Sequence, residues 1–326
     1  LQLRHRPFLR WRRETISGPA LGRIALSISM LSGATFSAFG KTLGTVFAPL
    51  SLVFVSEALS LVFQCMSFGA IPTLQKLAAL KRQKYLPLFA VGLFSGVIGP
   101  LLLFTGLSYT TAVNTVLFSR TDVIFMIALA HFVLREKLAK EHYAAIGFVS
   151  FGTLIIVLQG FTAGVSLHAG DVIIIFASLS YALGSIVFRK YLSDIEPHLA
   201  LFTRSIMAIT AFFLLSPFIE HPFITEVLSA PMTLLPTLLG FAFLSRFLNS
   251  VMYYEAIDHL PVSSVTIIGS MDIVLGALFA HWYLGEPLAW YHLLGAASML
   301  MGNLLLAVFH TPTTAQPATT TIRHRP

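Results

Sequence analysis

Long apolar stretches separated by short polar breaks run through the whole chain. A helix that crosses a membrane needs about 20 mostly apolar residues in a row. Ten stretches meet that condition: residues 21–40, 49–71, 86–107, 111–133, 142–161, 170–188, 199–219, 233–254, 262–283 and 289–309. The clearest breaks are 76–85, 159–168, 220–231 and the turn at 284–287. The pattern predicts an all-α integral membrane fold of ten transmembrane helices. Residues 1–20 are a basic segment, and the Arg-rich start would also suit a transit peptide. The apolar run 24–39 that follows has no clear small-residue cleavage site, which favours a retained first helix. Residues 311–326 are rich in Thr and Pro, cannot bury a core, and are expected to be a disordered tail.

The polar positions inside this pattern repeat. Sliding residues 122–154 by 150 positions, without a gap, puts Asp122 on Asp272, His131 on His281, Glu136 on Glu286, His142 on His292 and Gly152 on Gly302. Apolar matches are cheap in so apolar a chain, but four polar matches in one register are not, and they indicate an internal duplication. An offset of 148 puts Lys41 on Arg189, Pro49 on Pro197 and Phe54 on Phe202. Residues 21–161 and 170–310 therefore read as two repeats of five helices. Five is odd, so the halves must enter the membrane from opposite sides. Two inverted repeats about an axis in the membrane plane form a common transporter architecture, with the substrate site near the midplane.

Charge supports the count. The chain has 326 residues, 56% apolar and 11% charged, far too few charges to cover a soluble surface. The net charge of +7 would elsewhere suggest nucleic acid as a partner. Here the basic residues lie between apolar runs, where they act as topology signals and point to the lipid bilayer. With an inside N-terminus, the inner side receives Arg4, Arg6, Arg10, Arg12, Arg13, Arg23, Lys76, Lys81, Arg82, Lys84, Arg135, Lys137, Lys140, Arg189, Lys190, Arg323 and Arg325. The outer side receives Lys41 alone, while Arg120, Arg204 and Arg246 lie within apolar stretches. Both termini are expected in the cytoplasm of a cell with an inner or plasma membrane. A nine- or eleven-helix arrangement would scramble this bias. The lone Cys65 excludes an intramolecular disulfide and any cysteine metal motif, and it reads as a packing residue.

Two segments carry a family resemblance. The run 253–263, Tyr-Tyr-Glu-Ala-Ile-Asp-His-Leu-Pro-Val-Ser, and its first-half counterpart 104–112 resemble the aromatic–Ala–Leu segment that precedes a membrane helix in EamA-type drug/metabolite transporters. The Leu-Gly-Glu-Pro-Leu turn at 284–288 is similar to that family's short motif, and Leu-Arg-Glu-Lys-Leu at 134–138 is its twin. Each motif is weak alone, but two copies in a ten-helix frame are specific. The resemblance covers nearly all of 21–309. It implies a carrier of a small organic molecule, such as an amino acid, and does not name the cargo. The family usually carries proline near the positions that here hold Asp122 and Asp272.

Charged groups at mid-helix are the candidates for chemistry. Asp122, Asp272 and Glu57 face Arg120, Arg204 and Arg246 in number, so the buried charge can cancel. An acid inside a membrane costs about 3 kcal/mol on insertion scales and takes a partner or a wet cavity. Asp122 and Asp272 are candidates for a proton or cation site, or for structural ion pairs with the arginines. Arg204 and Arg246 suit a substrate carboxylate, because a guanidinium forks onto that group, although pairing with an acid such as Glu57 competes. Arg120 and Asp122 are two apart and point to different helix faces. Tyr181 and Tyr253 could stack on an organic substrate. His131 and His281 do not share a helix face with Glu136 and Glu286. Those two glutamates are expected at the positive N-terminus of the next helix. Small residues at Ser29, Gly33, Ser37 and Gly40, at Ser180 and Gly184, and at Gly92 and Gly96 permit close helix packing.

These features predict a secondary carrier, exporter or exchanger working by alternating access. A cavity lined by the first, third, fourth, sixth, eighth and ninth helices is expected between the halves. The partners are a small-molecule substrate and lipid, with possible proton coupling, in a monomer or homodimer. Nothing in the sequence calls for a cofactor. No Gly-x-x-x-x-Gly-Lys-Ser/Thr loop is present to supply ATP drive, and no His-Glu-x-x-His or Gly-x-Ser-x-Gly motif supports an intramembrane enzyme. A flippase for a lipid or polyprenyl phosphate is the alternative.

Overall fold

A computed structural model of the chain describes residues 18–135, 138, 140–161, 167–218, 223–260, 269 and 271–309. The tail, the Glu136 position, most of the N-terminal segment and the start of the ninth apolar stretch lie outside the described residues. The described residues are predominantly helical and hold no strand. The helices are α1 Gly18–Ala34, α2 Phe36–Leu43, α3 Pro49–Phe68, α4 Ala70–Ala78, α5 Arg82–Ser108, α6 Ala112–Leu134 and α7 Lys140–Val157. They continue with α8 Ala169–Tyr191, α9 Pro197–Phe218, α10 Phe223–Ser229, α11 over 232–259, α12 Asp272–Leu284 and α13 Trp290–Phe309. Six of them, α3, α5, α6, α8, α9 and most of α11, are long and apolar enough to cross a membrane. Bulky apolar side chains such as Met66, Phe132 and Trp282 are more than three-quarters exposed. Such a surface is stable only against lipid, and the protein is an integral membrane protein.

Three local departures from straight helices surround the molecule's centre. The first apolar stretch is broken at Thr35, between α1 and α2. The Thr35 hydroxyl bonds the Ser32 carbonyl at 2.6 Å and the Ser245 hydroxyl of α11 at 2.6 Å. Second, α5 widens into π-helical turns over Gly92–Ile98, and α11 does the same over Phe241–Leu248. In α5 the cause is visible. Pro100 cannot donate to the carbonyl four residues back and its ring crowds it, which a wider turn relieves. In α11 no proline stands at the matching place.

Glycines set the closest approaches. A Cβ on Gly96 would lie 2.8 Å from the Arg204 carbonyl oxygen, so glycine lets α5 and α9 touch backbone to backbone. At the α7–α13 crossing a Cβ on Gly152 would lie 2.7 Å from the Gly295 oxygen, and one on Gly302 would lie 3.0 Å from the Ala145 oxygen. The Ser298 hydroxyl donates to the Phe148 carbonyl in the same contact, at 2.7 Å. Arg135 closes α6 and Gly285 closes α12, each in the left-handed region, at φ 57° and 69°. The main apolar core, including Leu52, Phe104, Phe118, Phe241, Ile273 and Met299, draws on helices of both sequence repeats.

Candidate functional site

A cavity of about 300 Å³ opens in the middle of the bundle. Gly33 and Ser37 line it from α1 and α2, Leu103 from α5, Ser119 and Asp122 from α6, and Ser178 and Tyr181 from α8. Arg246 and Asn249 line it from α11, and Asp272 and Gly276 from α12. These are the six stretches expected from sequence. A seventh, α9, joins them through Arg204. At 1.5 Å per residue, Glu57, Arg120, Asp122, Arg204 and Arg246 stand roughly 11–21 Å from the ends of their helices, while Asp272 is the first residue of α12.

The charges form two clusters. In the first, Glu57 is fully buried on α3 and accepts from Arg246 Nη2 at 2.5 Å. Its second oxygen accepts from the Ser205 hydroxyl at 2.6 Å. Arg204 Nε lies 3.5 Å from the same carboxylate, too far for a hydrogen bond, and has no hydrogen-bond partner. Arg246 also stacks over the Phe36 and Phe104 rings, at 5.6 and 5.9 Å from their centroids, and its guanidinium meets the Tyr181 hydroxyl. Arg246 is thus held on several sides, while Arg204 is anchored only by charge. Two guanidinium groups against one carboxylate leave this cluster with one positive charge in excess. The Gln64 amide completes it by donating to Ser205 at 3.0 Å. Ser205 was not singled out from sequence, although it is the 148-position equivalent of Glu57.

The second cluster has the opposite balance. Arg120 Nη2 donates to Asp272 Oδ2 at 2.6 Å across the α6–α12 contact. Asp122, two residues from Arg120, makes no ion pair among the described residues, and its Oδ1 is buried without a hydrogen-bond partner. Two carboxyl groups therefore share one guanidinium. The electrostatic neighbours of Asp122 are Arg120 and Asp272, whereas those of Tyr181 are Arg246, Arg204 and Glu57. One cavity wall thus carries surplus positive charge and another carries a surplus carboxyl group.

Tyr253 is 43% exposed and does not line the cavity, but it is an electrostatic neighbour of Arg120. Glu286 does sit at a helix N-terminus, but not that of the next helix. It accepts from the backbone N–H groups of Ala112 at 2.8 Å and Val113 at 2.9 Å, which start α6 in the other repeat. The four unsatisfied N–H groups of a helix start attract any carboxylate within reach, whether or not it is adjacent in sequence. Glu226 does the same for α3, accepting from Ala48 N–H at 3.2 Å and from the Ser51 hydroxyl. His281 Nδ1 bonds the Glu286 carbonyl at 2.6 Å, so the turn folds these two residues together.

The sequence profile of the EamA-like transporter family matches residues 20–158 and again residues 168–308. An uncharacterized transporter of Methanothermobacter thermautotrophicus is 29% identical over 70% of this chain and 66% of its own length. An uncharacterized transporter of Bacillus subtilis, YyaM, is 23% identical over 86% of this chain and 90% of its own. A probable amino-acid metabolite efflux pump of Salmonella typhimurium is 24% identical over 58% of this chain and 65% of its own. A protein of known crystal structure shares the fold, with a TM-score of 0.55, 12% identity and coverage of 87% of this chain and 95% of that one.

Proposed function

The chain belongs to the EamA-like transporter family, and from that premise we propose that it is a secondary carrier exporting a small zwitterionic metabolite of the amino-acid class by alternating access. The observation that carries this reading is the cavity's divided charge. Arg204, with its Nε unpartnered, faces the cavity beside the anchored Arg246–Glu57 pair. It suits a carboxylate, which a guanidinium can hold with two hydrogen bonds. The unpaired Asp122 carboxyl suits an ammonium group. A neutral molecule with both ends satisfies each cluster and adds no net charge to a site where charge is expensive. The Salmonella relative's name, an amino-acid metabolite efflux pump, is consistent with this class. The volume of about 300 Å³ admits a small organic molecule and not a lipid with its chains.

The same reading gives ten crossings in two inverted repeats, with both termini in the cytoplasm. Supporting contacts come in equivalent pairs. The α7–α13 crossing joins Gly152 to Gly295 and Gly302 to Ala145, partners that the 150-position offset exchanges. The π-helical turns of α5 and α11 and the left-handed caps at Arg135 and Gly285 are likewise paired. Reporter fusions after Gly164 and after Arg189 are expected on opposite sides of the membrane, and one side for both refutes the inverted arrangement.

Counterflow in proteoliposomes tests the cargo. Liposomes loaded with unlabelled L-alanine, L-threonine or L-phenylalanine should accumulate the labelled form of at least one of them, and Arg204→Gln should abolish this. The decarboxylated amines should not exchange. If none of the three exchanges in folded protein, or the amines exchange as well as the amino acids, the zwitterion reading is wrong.

A further inference from the structure

The two aspartates occupy equivalent positions in the repeats, yet their surroundings differ. Asp272 is held by Arg120 at 2.6 Å. Both line the cavity and keep Oδ1 buried with no hydrogen-bond partner, but Asp122 has no ion pair among the described residues. We propose that Asp122 is a proton-binding site at which a proton and the substrate's ammonium group take turns, so that proton entry drives export. This inference rests on the zwitterion reading above.

The groups around Asp122 favour that role. The titratable or charged residues that reach its surroundings are Arg120 from its own helix, Asp272 from α12, Tyr181 from α8, Arg204 from α9, and Arg246 and, through Arg120, Tyr253 from α11. The α1, α2 and α5 positions on the cavity, such as Gly33, Ser37 and Leu103, carry no charge. Of the three arginines, Arg120 is bonded to Asp272 and Arg246 to Glu57. Arg204 lies beside Glu57 and belongs to the other cluster. Arg120 is therefore the one guanidinium that acts on Asp122, and its hydrogen bond is already given to Asp272.

A second carboxylate beside a guanidinium already bonded to another acid is costly to ionise in a low-dielectric interior, and an ammonium ion or a proton removes that cost. Facing the cytoplasm, the carboxylate takes the ammonium group. Facing outward, the ammonium leaves and an external proton adds to a carboxylate oxygen, forming one O–H bond. The neutral acid then returns, and that proton leaves to the cytoplasm. One zwitterion of zero net charge leaves and one proton enters, so each cycle moves one positive charge inward, and no electron is transferred. Asp272 cannot serve, because protonating it would strand Arg120 beside a neutral acid.

Infrared difference spectroscopy of the purified protein in vesicles, titrated from alkaline to acidic pH without substrate, tests the proton site directly. A carbonyl-stretch band of a protonated buried carboxyl group should appear in the native protein and be lost in Asp122→Asn. Asp122→Glu should shift the band to the glutamate frequency, which identifies its owner even if Asp122→Asn does not fold. A band that neither variant alters, or no titrating band in the native protein, overturns the proposal. Binding of L-alanine, L-threonine and L-phenylalanine by titration calorimetry supplies the second arm. Affinity should fall about tenfold per pH unit below the titration in the native protein, as proton competition requires. It should be flat with pH in Asp122→Asn. L-Lactate, which has no ammonium, should bind without this dependence in both. Amino-acid binding that is flat with pH in the native protein overturns the coupling. If the band behaves as expected and none of the three amino acids binds, the zwitterion reading and the exchange built on it fall, while the proton site stands.

Discussion

Neutralising Glu57 should unfold the middle of the protein's charge balance. Glu57→Gln keeps the shape and one carbonyl acceptor but removes the charge that faces Arg246 at 2.5 Å and Arg204 at 3.5 Å. The residue is fully buried and Arg246 is 5% exposed, so water cannot replace the lost partner. Breaking a buried pair from one side costs about 3–5 kcal/mol, because the remaining charge stays desolvated. The lost acceptor for the Ser205 hydroxyl adds to this only if the glutamine turns its amide nitrogen that way. At roughly 2–4 °C per kcal/mol for a chain of this order, the apparent melting temperature should fall by roughly 6–20 °C. Thermal unfolding in detergent, followed by tryptophan fluorescence, measures it. The double variant Glu57→Gln/Arg246→Met removes both charges of the shorter pair and should recover at least about 2 kcal/mol of the single-variant loss, the size of coupling that contacting groups show. A Glu57→Gln protein that melts within 2 or 3 °C of the native one, in the same assay, would falsify the view that this cluster is an interdependent buried network.

Four further outcomes follow from local geometry. Gly152→Ala puts a methyl group 2.7 Å from the Gly295 backbone oxygen, which cannot swing away, and should destabilise by about 1–3 kcal/mol. Gly147→Ala on the same helix meets nothing within 4 Å and should stabilise by up to about 1 kcal/mol, so that a thermal-shift comparison of the two reads packing against helix propensity. Glu286→Gln weakens the bonds to the Ala112 and Val113 N–H groups and should cost about 1–2 kcal/mol, whereas a variant as stable as the native protein would show that the cap carries nothing. On the loop between α8 and α9, the hydrogen bond from Lys84 holds the Asp194 carboxyl below its ordinary range. Its stabilising contribution is therefore present at neutral pH and is lost as pH falls through the lowered value, and Asp194→Asn should remove that part of the acid limb of a pH–melting profile.

The helices were legible because a membrane span needs only length and apolar composition, both of which are local. The departures were not. The first stretch breaks at Thr35, whose hydroxyl meets that of Ser245, 210 residues away. Pro100 hinted at the widening of α5, but the same widening in α11 has no sequence mark. That three acids and three arginines would meet near the middle followed from their cost in lipid. Which acid meets which arginine did not, because the choices of Arg246 for Glu57 and of Arg120 for Asp272 are made over 189 and 152 residues. Ser205 was within reach of sequence reasoning, since the duplication places it opposite Glu57. Glu286 shows the limit of nearest-neighbour rules, for the electrostatics of a helix start were right and the helix was wrong.

Among the bonds that join the repeats, Glu57–Arg246 and Arg120–Asp272 lie around the central cavity, whereas Glu286 and Glu226 join them at the starts of α6 and α3. In the proposed cycle the repeats rock against each other about an axis in the membrane plane. A rotation of roughly 15°, the size seen between rigid bodies in known switches, moves an atom in proportion to its distance from that axis. At half of a layer about 30 Å thick the movement is about 4 Å, enough to break any hydrogen bond. Within a few ångströms of the axis it is about 1 Å, which a side chain can follow. The ion pairs around the cavity can therefore persist through such a cycle and hold the repeats together, whereas carboxylate caps farther from the axis cannot. This separation explains why charges so costly in lipid are gathered at the centre. Only there can a buried ion pair survive the motion, and only there does an unpaired carboxyl group such as Asp122 stay within reach of both sides.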